Sequence, residues 1–307
     1  MGHVSIVLAT YNGAAYLEEQ LDSILKNTYK DWTVEICDDG STDGTLEIVA
    51  SYQKQYPGKF QLYKNEVNRG VTVNFLEGAK RAKGEYIMFC DQDDVWMENK
   101  IETTLAGMQA KEKEFGKDTP IVVFTDAQLV DATLQSMDAT FFSYNGLHTQ
   151  KTDLAHLLME NKVIGCTTMF NRALQQKLVR FPLHARYHDW WIALIGAAFG
   201  KVCYLDEITI LYRQHGNNVE GAKGFWEYVW DRMKDLKAQK KALIANERQA
   251  REFYEIYKKE LLDKEQEIVQ NFANIRNINW FRRVQKLFYY GFWKSGKIRN
   301  IGVLLTI

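Results

Sequence analysis

The chain has 307 residues, 46% of them hydrophobic and 25% charged, and its 39 Lys/Arg balance 39 Asp/Glu. This composition suits one large globular domain with an appendage, or two modest domains, and excludes a fibrous or disordered chain. No run approaches the ~20 apolar residues a spanning helix needs. Cys37, Cys90, Cys166 and Cys203 form no C-x-x-C pair, which argues against a thiolate metal site and fits a reducing cytoplasm.

Residues 4–8 are an apolar run, too short for a signal peptide, and read as a buried strand. A helix is predicted over 14–26, with Leu17, Leu21, Ile24 and Leu25 on one face. Strands follow at 34–37, 60–63 and 86–90, separated by helices after Ser41-Thr42-Asp43 and over 73–82. Strands spaced by helices predict an α/β fold whose mainly parallel sheet is covered on both faces. Further strands are predicted at 121–124 and 166–170, a helix through 193–198, and a strand pair at 201–205 and 208–213.

In such sheets ligands bind beyond the carboxyl ends of the strands. The polar clusters lie there: Thr10-Tyr11-Asn12-Gly13, Asp38-Asp39-Gly40-Ser41, residues 65–70, and Asp91-Gln92-Asp93-Asp94. Three carboxylates within four positions repel one another unless a cation compensates, and hard oxygen ligands suit Mg²⁺ or Mn²⁺. Alternatively the cluster is a solvated loop, or Asp93 caps a helix beginning at Val95-Trp96. Asp39 can accept from a pyrimidine imide N–H or belong to a capped turn, and Tyr11 can stack on a base or be a plain turn residue. In His188-Asp189-Trp190-Trp191, adjacent tryptophans on a helix point in different directions. One is expected to face a cleft where a sugar packs, with Asp189 as a proton acceptor, or the pair packs in the core with Asp189 as a cap. His215 is a metal ligand or a surface histidine.

In this order the clusters resemble the family 2 glycosyltransferases, which have the GT-A fold. The matching elements are Val4-Ser5-Ile6-Val7-Leu8-Ala9-Thr10-Tyr11-Asn12, Asp38 to Thr45, Asn68-Arg69-Gly70, Gly84-Glu85-Tyr86-Ile87, Asp91 to Trp96, His188 to Trp191 and Arg213-Gln214-His215. The resemblance implies a Rossmann-like GT-A catalytic domain over 1–221 and a helical extension over 222–307. It implies a nucleotide-sugar donor contacted by Ala9, Thr10, Tyr11, Asn12, Asp39, Asn74, Asp91 and Gln92. Asp91, Asp93 and His215 would bind Mn²⁺ or Mg²⁺, with Asp94 as a further candidate. Asp189 would be the catalytic base of an inverting transfer, and Trp96, Trp190 and Trp191 would contact the acceptor. Many relatives carry Arg-Asn in the helix after the Asn-x-Gly turn, whereas this chain has Val73-Asn74-Phe75. The cluster at 91–96 with that at 188–191 is similar to bacterial rhamnosyltransferases of cell-wall or capsular polysaccharide synthesis. That implies a dTDP-L-rhamnose donor and a polyprenyl-linked saccharide acceptor.

From Ala222 onward 18 Lys/Arg face 10 Asp/Glu, and after Glu267 seven Lys/Arg remain with no acidic residue. Residues 225–269 predict an antiparallel helical pair or a homo-oligomer contact. A basic, aromatic helix at 280–292 predicts docking on the inner face of the cell membrane, placing the protein in the cytoplasm as a peripheral component, or packing on the catalytic domain. Nucleic acid is excluded as a partner by the acidic catalytic half. Two rival readings are a nucleotidyltransferase that makes a sugar nucleotide and a non-catalytic carbohydrate-binding component of an assembly complex. The first needs a basic phosphate-gripping loop near the N-terminus, and residues 10–15 contain no basic residue.

Overall fold

A computed structural model describes residues 2–215 and 236–307. The expected boundary at 221/222 and the start of the charged helical segment at 225 lie outside the described residues. The strands β1 (Val4–Thr10), β2 (Trp32–Asp38), β3 (Phe60–Lys64) and β4 (Tyr86–Cys90) alternate with helices α1 (Leu17–Leu25), α2 (Thr45–Gln55) and α3 (Val71–Arg81). β1 and β4 are buried almost throughout, as parallel strands covered on both faces must be. The four run parallel in the order β3-β2-β1-β4, so their carboxyl ends share one edge.

Beyond β4 the sheet is mixed. The elements there are β5 (Val95–Trp96), α4 (Lys100–Phe115), β6 (Ile121–Val130), β7 (Ser136–Thr140), α5 (Phe141–Asn145) and α6 (Leu154–Met159). They are followed by β8 (Thr168–Asn171), α7 (Arg172–Gln175), α8 (His188–Phe199) and β9 (Lys201–Arg213). β8 lies antiparallel between β4 and β6, β9 runs parallel to β6, and β5 pairs antiparallel with β9. Val95-Trp96 therefore closes the sheet edge rather than beginning a helix. The strand pair expected at 201–205 and 208–213 is one strand. Phe124 faces Tyr204 while Asp126 faces Ile208, so the exposed Asp206-Glu207 step is a bulge in the ladder, not a hairpin turn.

The extension comprises α9 (Leu236–Tyr257), α10 (Asp263–Ala273), α11 (Trp280–Tyr290) and α12 (Lys297–Thr306). Its apolar face joins the catalytic core. Trp191 of α8 packs edge-on against Phe253 at 5.3 Å between ring centroids, and Phe199 meets Tyr257 at 5.4 Å. Polar ties accompany the packing: Glu252 accepts the backbone N–H groups of Leu183 and His184, and Arg299 pairs with Glu160 at 3.1 Å. Among the described residues no helix is long and apolar enough to cross a membrane.

Because Phe253 is fully buried in the shared core, Phe253→Ala is expected to lower stability by about 3–5 kcal/mol. Urea denaturation should still show a single transition; a separate early transition of the extension would contradict a shared core.

Candidate active site

A cavity of about 750 Å³ opens at the carboxyl edge of the parallel strands. Ala9, Thr10, Tyr11, Asp39, Asn74, Asp91, Gln92 and Asp93 line one part of it, and Asp189 and Trp190 another. Residues as far apart in sequence as Ala9 and Trp190 thus line one cavity.

The base-pocket side is built from turns that hold one another. Asp38 is fully buried and accepts from Thr10 Oγ1 and the backbone N–H groups of Gly40 and Ser41, closing a turn in which Gly40 has φ +88°. Asp39 is thereby turned to the cavity. Its carboxylate accepts from Asn65 Nδ2 at 2.9 Å and from the N–H groups of Arg69 and Gly70 at 2.9 and 2.8 Å. A carboxylate has about four acceptor sites, so one remains for a ligand N–H.

Several expected ligand contacts prove to be internal ties. The Asn74 amide bridges to the Cys37 carbonyl and accepts from Asn65, fastening α3 to the end of β2. Gln92 accepts the Tyr11 N–H and donates back to the Tyr11 carbonyl, joining the first loop to the acidic loop. Asn12 does not line the cavity: it adopts φ 49°, and its side chain accepts the Thr42 N–H. Tyr11 keeps its ring about half exposed at the rim, open to stacking.

At the end of β4 the three carboxylates separate. Asp91 and Asp93 face the cavity, whereas Asp94 is buried and accepts the Arg213 N–H at 3.1 Å. Burial, then the charges of Asp93 and Asp189, push the Asp91 carboxyl up to about 7. This crowding of like charge at a site with hard oxygen donors and an imidazole fits a divalent cation. His215 Nε2 lies 2.9 Å from Asp93 Oδ2 and its ring stacks on Tyr16 at 4.8 Å. A tighter trio, Asp91, Asp94 and Cys166, has ligand atoms within 4.8 Å of one another. Burial and the neighbouring aspartates hold the Cys166 thiol well above its ordinary range. Among the described residues the expected set of Asp91, Asp93 and His215 does not converge to this extent.

Asp189 sits in the first turn of α8, and its Oδ1 accepts the backbone N–H of Trp190 in that turn. Asn161 Nδ2 donates to its Oδ1 and the Gly165 N–H to its Oδ2, each at 3.0 Å. The acceptor-side tryptophans divide. Trp190 lines the cavity, its Nε1 donating to the Leu157 carbonyl and the Arg186 guanidinium lying 5.2 Å from its ring centroid. Trp191 is wholly in the core, where α9 needs an apolar partner. Trp96 is buried beside Lys100 at the β5 edge. Neither lines the cavity, and an acceptor contact is withdrawn for both.

Sequence reasoning missed Asn161, Gly165 and Arg213 as positioning residues. Only Arg213, within a strand-end motif, left a local signal. It also missed that Lys294 and Arg299 of the extension line the cavity.

Residues 5–176 match the family model described as glycosyl transferase family 2. The chain belongs to that family. Over 230 residues it is 30% identical to the dTDP-rhamnosyl transferase RfbG of Shigella flexneri, covering 70% of this chain and 74% of the relative. Its fold is similar to that of S. aureus TarS 1–349 in complex with UDP-GlcNAc, with a TM-score of 0.56, 18% identity, and 98% and 90% of the two chains covered. It is likewise similar to the mannosyltransferase PcManGT of Pyrobaculum calidifontis in complex with GDP-Man and Mn²⁺, with a TM-score of 0.56, 16% identity, and 99% and 79% covered. The protein is therefore a glycosyltransferase with the GT-A fold.

His188, beside Asp189, is buried flat against Phe75 at 3.9 Å with no hydrogen-bond partner for either ring nitrogen among the described residues. Burial pushes its pKa from 6.5 down to about 3. Between those values only the unfolded chain takes up the proton, so stability falls as pH drops below 6.5. By pH 5 the loss from this group is about 2 kcal/mol. His188→Phe should flatten that acid limb, measured by urea midpoints from pH 7 to 5; an unchanged slope would assign the loss elsewhere.

Proposed function

We propose that the protein transfers L-rhamnose from dTDP-L-rhamnose, with inversion, to a hydroxyl of a polyprenyl-linked saccharide in bacterial cell-wall or capsular polysaccharide synthesis. The observation that carries the reading is the Asp189 carboxylate, held by Asn161 and Gly165 on the same cavity as Asp39, Asp91 and Asp93. Ala9, Thr10, Tyr11 and Asp39 form the base pocket, the remaining acceptor site of Asp39 receiving the thymine imide N–H. Asp91, Asp93 and His215 would hold Mn²⁺ or Mg²⁺, which when bound neutralises the charge of the departing nucleoside diphosphate. Asp189 takes the proton of the acceptor hydroxyl as its oxygen attacks the anomeric carbon from the face opposite the leaving group. One displacement inverts that carbon. The rhamnose assignment is supported by the relative named as a dTDP-rhamnosyl transferase.

Asp189→Asn is expected to reduce turnover by about 10²–10⁴-fold while dTDP binding with Mn²⁺ survives. Loss of nucleotide binding in that variant would remove Asp189 from the base role. In a donor screen, dTDP release from dTDP-L-rhamnose should exceed release of UDP from UDP-glucose, UDP-galactose and UDP-N-acetylglucosamine. A preference for any UDP-sugar would sink the rhamnose assignment.

The extension supports docking on the inner membrane face. Phe281, Phe288 and Tyr289 of α11 are 78%, 68% and 77% exposed, on a helix that also carries Arg282 and Lys286. Such an aromatic and basic surface suits the interface of an anionic bilayer. Truncating the tail would remove Phe292 from Phe272, against which it packs at 5.1 Å, so substitution is the cleaner probe. The double variant Phe281→Ser, Phe288→Ser should lose flotation with phosphatidylglycerol vesicles at unchanged thermal stability. Flotation equal to that of the parent would argue against this surface.

A further inference from the structure

The turn that fixes Asp39 also brings an apolar side chain to the base pocket. The Arg69 and Gly70 N–H groups that hold the Asp39 carboxylate stand at the entry to α3. Gly70, at φ +85°, turns the chain into that helix, and Val71 is its first residue. Asn68, Val71 and Asn74 line the cavity from this segment. Asn68 Oδ1 accepts the Gly70 N–H at 3.1 Å, and the Asn74 amide is engaged by Cys37 and Asn65. The Arg69 guanidinium pairs with Glu77 at 2.6 Å, further along α3. Val71, by contrast, is 41% exposed. The apolar surface that this turn offers a ligand is therefore the Val71 isopropyl group.

We propose that Val71 contacts the 5-methyl group of thymine and makes the base pocket prefer thymidine over uridine nucleotides. The inference rests on the dTDP reading and names the residue that would set dTDP apart from UDP. Asp39 cannot make that distinction, because thymine and uracil present the same imide N–H. The two bases differ at the 5-position alone, two ring atoms from that N–H. Of the two ring edges that flank the imide, one carries only a carbonyl oxygen and the other adds the methyl. An isopropyl group gives a carbonyl oxygen nothing in exchange for lost water, so it favours the methyl edge. A β-branched side chain in a helix has one preferred rotamer, so this surface is set before the ligand arrives. Covering one methyl in this way is expected to favour dTDP by about four- to tenfold.

The test is calorimetric titration of the full chain, with Mg²⁺ saturating, by dTDP, dUDP and dCDP. The first two differ by the methyl alone, and dCDP lacks the imide N–H. The parent chain should bind dTDP about four- to tenfold more tightly than dUDP, and dCDP more weakly than either. Val71→Ala should bring the dTDP/dUDP ratio to about one by weakening dTDP, with dUDP affinity unchanged. General damage to the pocket would weaken both nucleotides alike and leave the ratio as it was. Val71→Ile should keep the preference. Val71→Thr, which keeps the shape but replaces a methyl by a hydroxyl, should reduce it and stands in if the alanine variant fails to fold. Equal binding of dTDP and dUDP by the parent would overturn the proposal and leave the Asp39 reading intact. A dTDP preference that survives in both the Ala and Thr variants would overturn it too, since another group then reads the methyl. Binding of dCDP as tight as that of dUDP, or no binding of any of the three, would remove the base pocket itself and the Val71 contact with it.

Discussion

Arg213 holds the acidic loop at the end of β4 against its own charge. Its backbone N–H goes to Asp94, its Nε to the Asp93 carbonyl and its Nη1 to the Ala132 carbonyl, while Nη2 pairs with Glu19 of α1. The guanidinium also lies 4.9 Å from the Tyr16 ring centroid, and Tyr16 stacks on His215. One nearly buried cation thus ties β9, α1 and the β4 loop together. Without a cation behind it, a loop carrying Asp91, Asp93 and Asp94 would splay into solvent, and the cavity would lose its floor.

The same constraint explains the division of labour within the loop. Asp94 turns inward to the Arg213 backbone, which leaves Asp91 and Asp93 on the cavity. Asp91 stays poorly compensated, and a site poised to receive a cation is one whose carboxylates are short of positive charge. Across the cavity, Asp189 is held by two donors from the 161–165 segment, and the extension braces that segment through Arg299 and Ser295. The tail therefore acts on the site through packing and charge, while α11 turns its aromatic face outward.

Much of the donor side was legible because parallel strands read as continuous apolar runs, and ligands gather where such runs end. The clusters at 10–13, 38–45 and 91–94 fell at strand ends and so declared themselves. What remained hidden was which polar atoms are free. Asn12, Asn74 and Gln92 carry groups suited to a ligand, yet each is engaged by a neighbouring loop. Hydrogen-bond partners 30 or more residues away leave no local trace. The tryptophans show the same limit: periodicity says that Trp190 and Trp191 diverge, and only the docking of α9 decides that Trp191 is the one in the core.

The order and spacing of the strand-end motifs determined the family, the parallel half of the sheet and the edge on which the site lies, because alternating apolar runs and capped turns are local properties of the chain. Which carboxylates face the cavity, which tryptophan lines it and where the basic tail points were decided by tertiary structure alone. These depend on long-range partners: Arg213 for the acidic loop, Phe253 for Trp191, Glu160 for Arg299. The seven cations after Glu267 left two readings open in the sequence, a membrane-facing surface or packing on the catalytic domain. Folding sends α11 outward and brings Lys294 and Arg299 back to the cavity, because Gly291, at φ +75°, ends that helix and turns the chain inward.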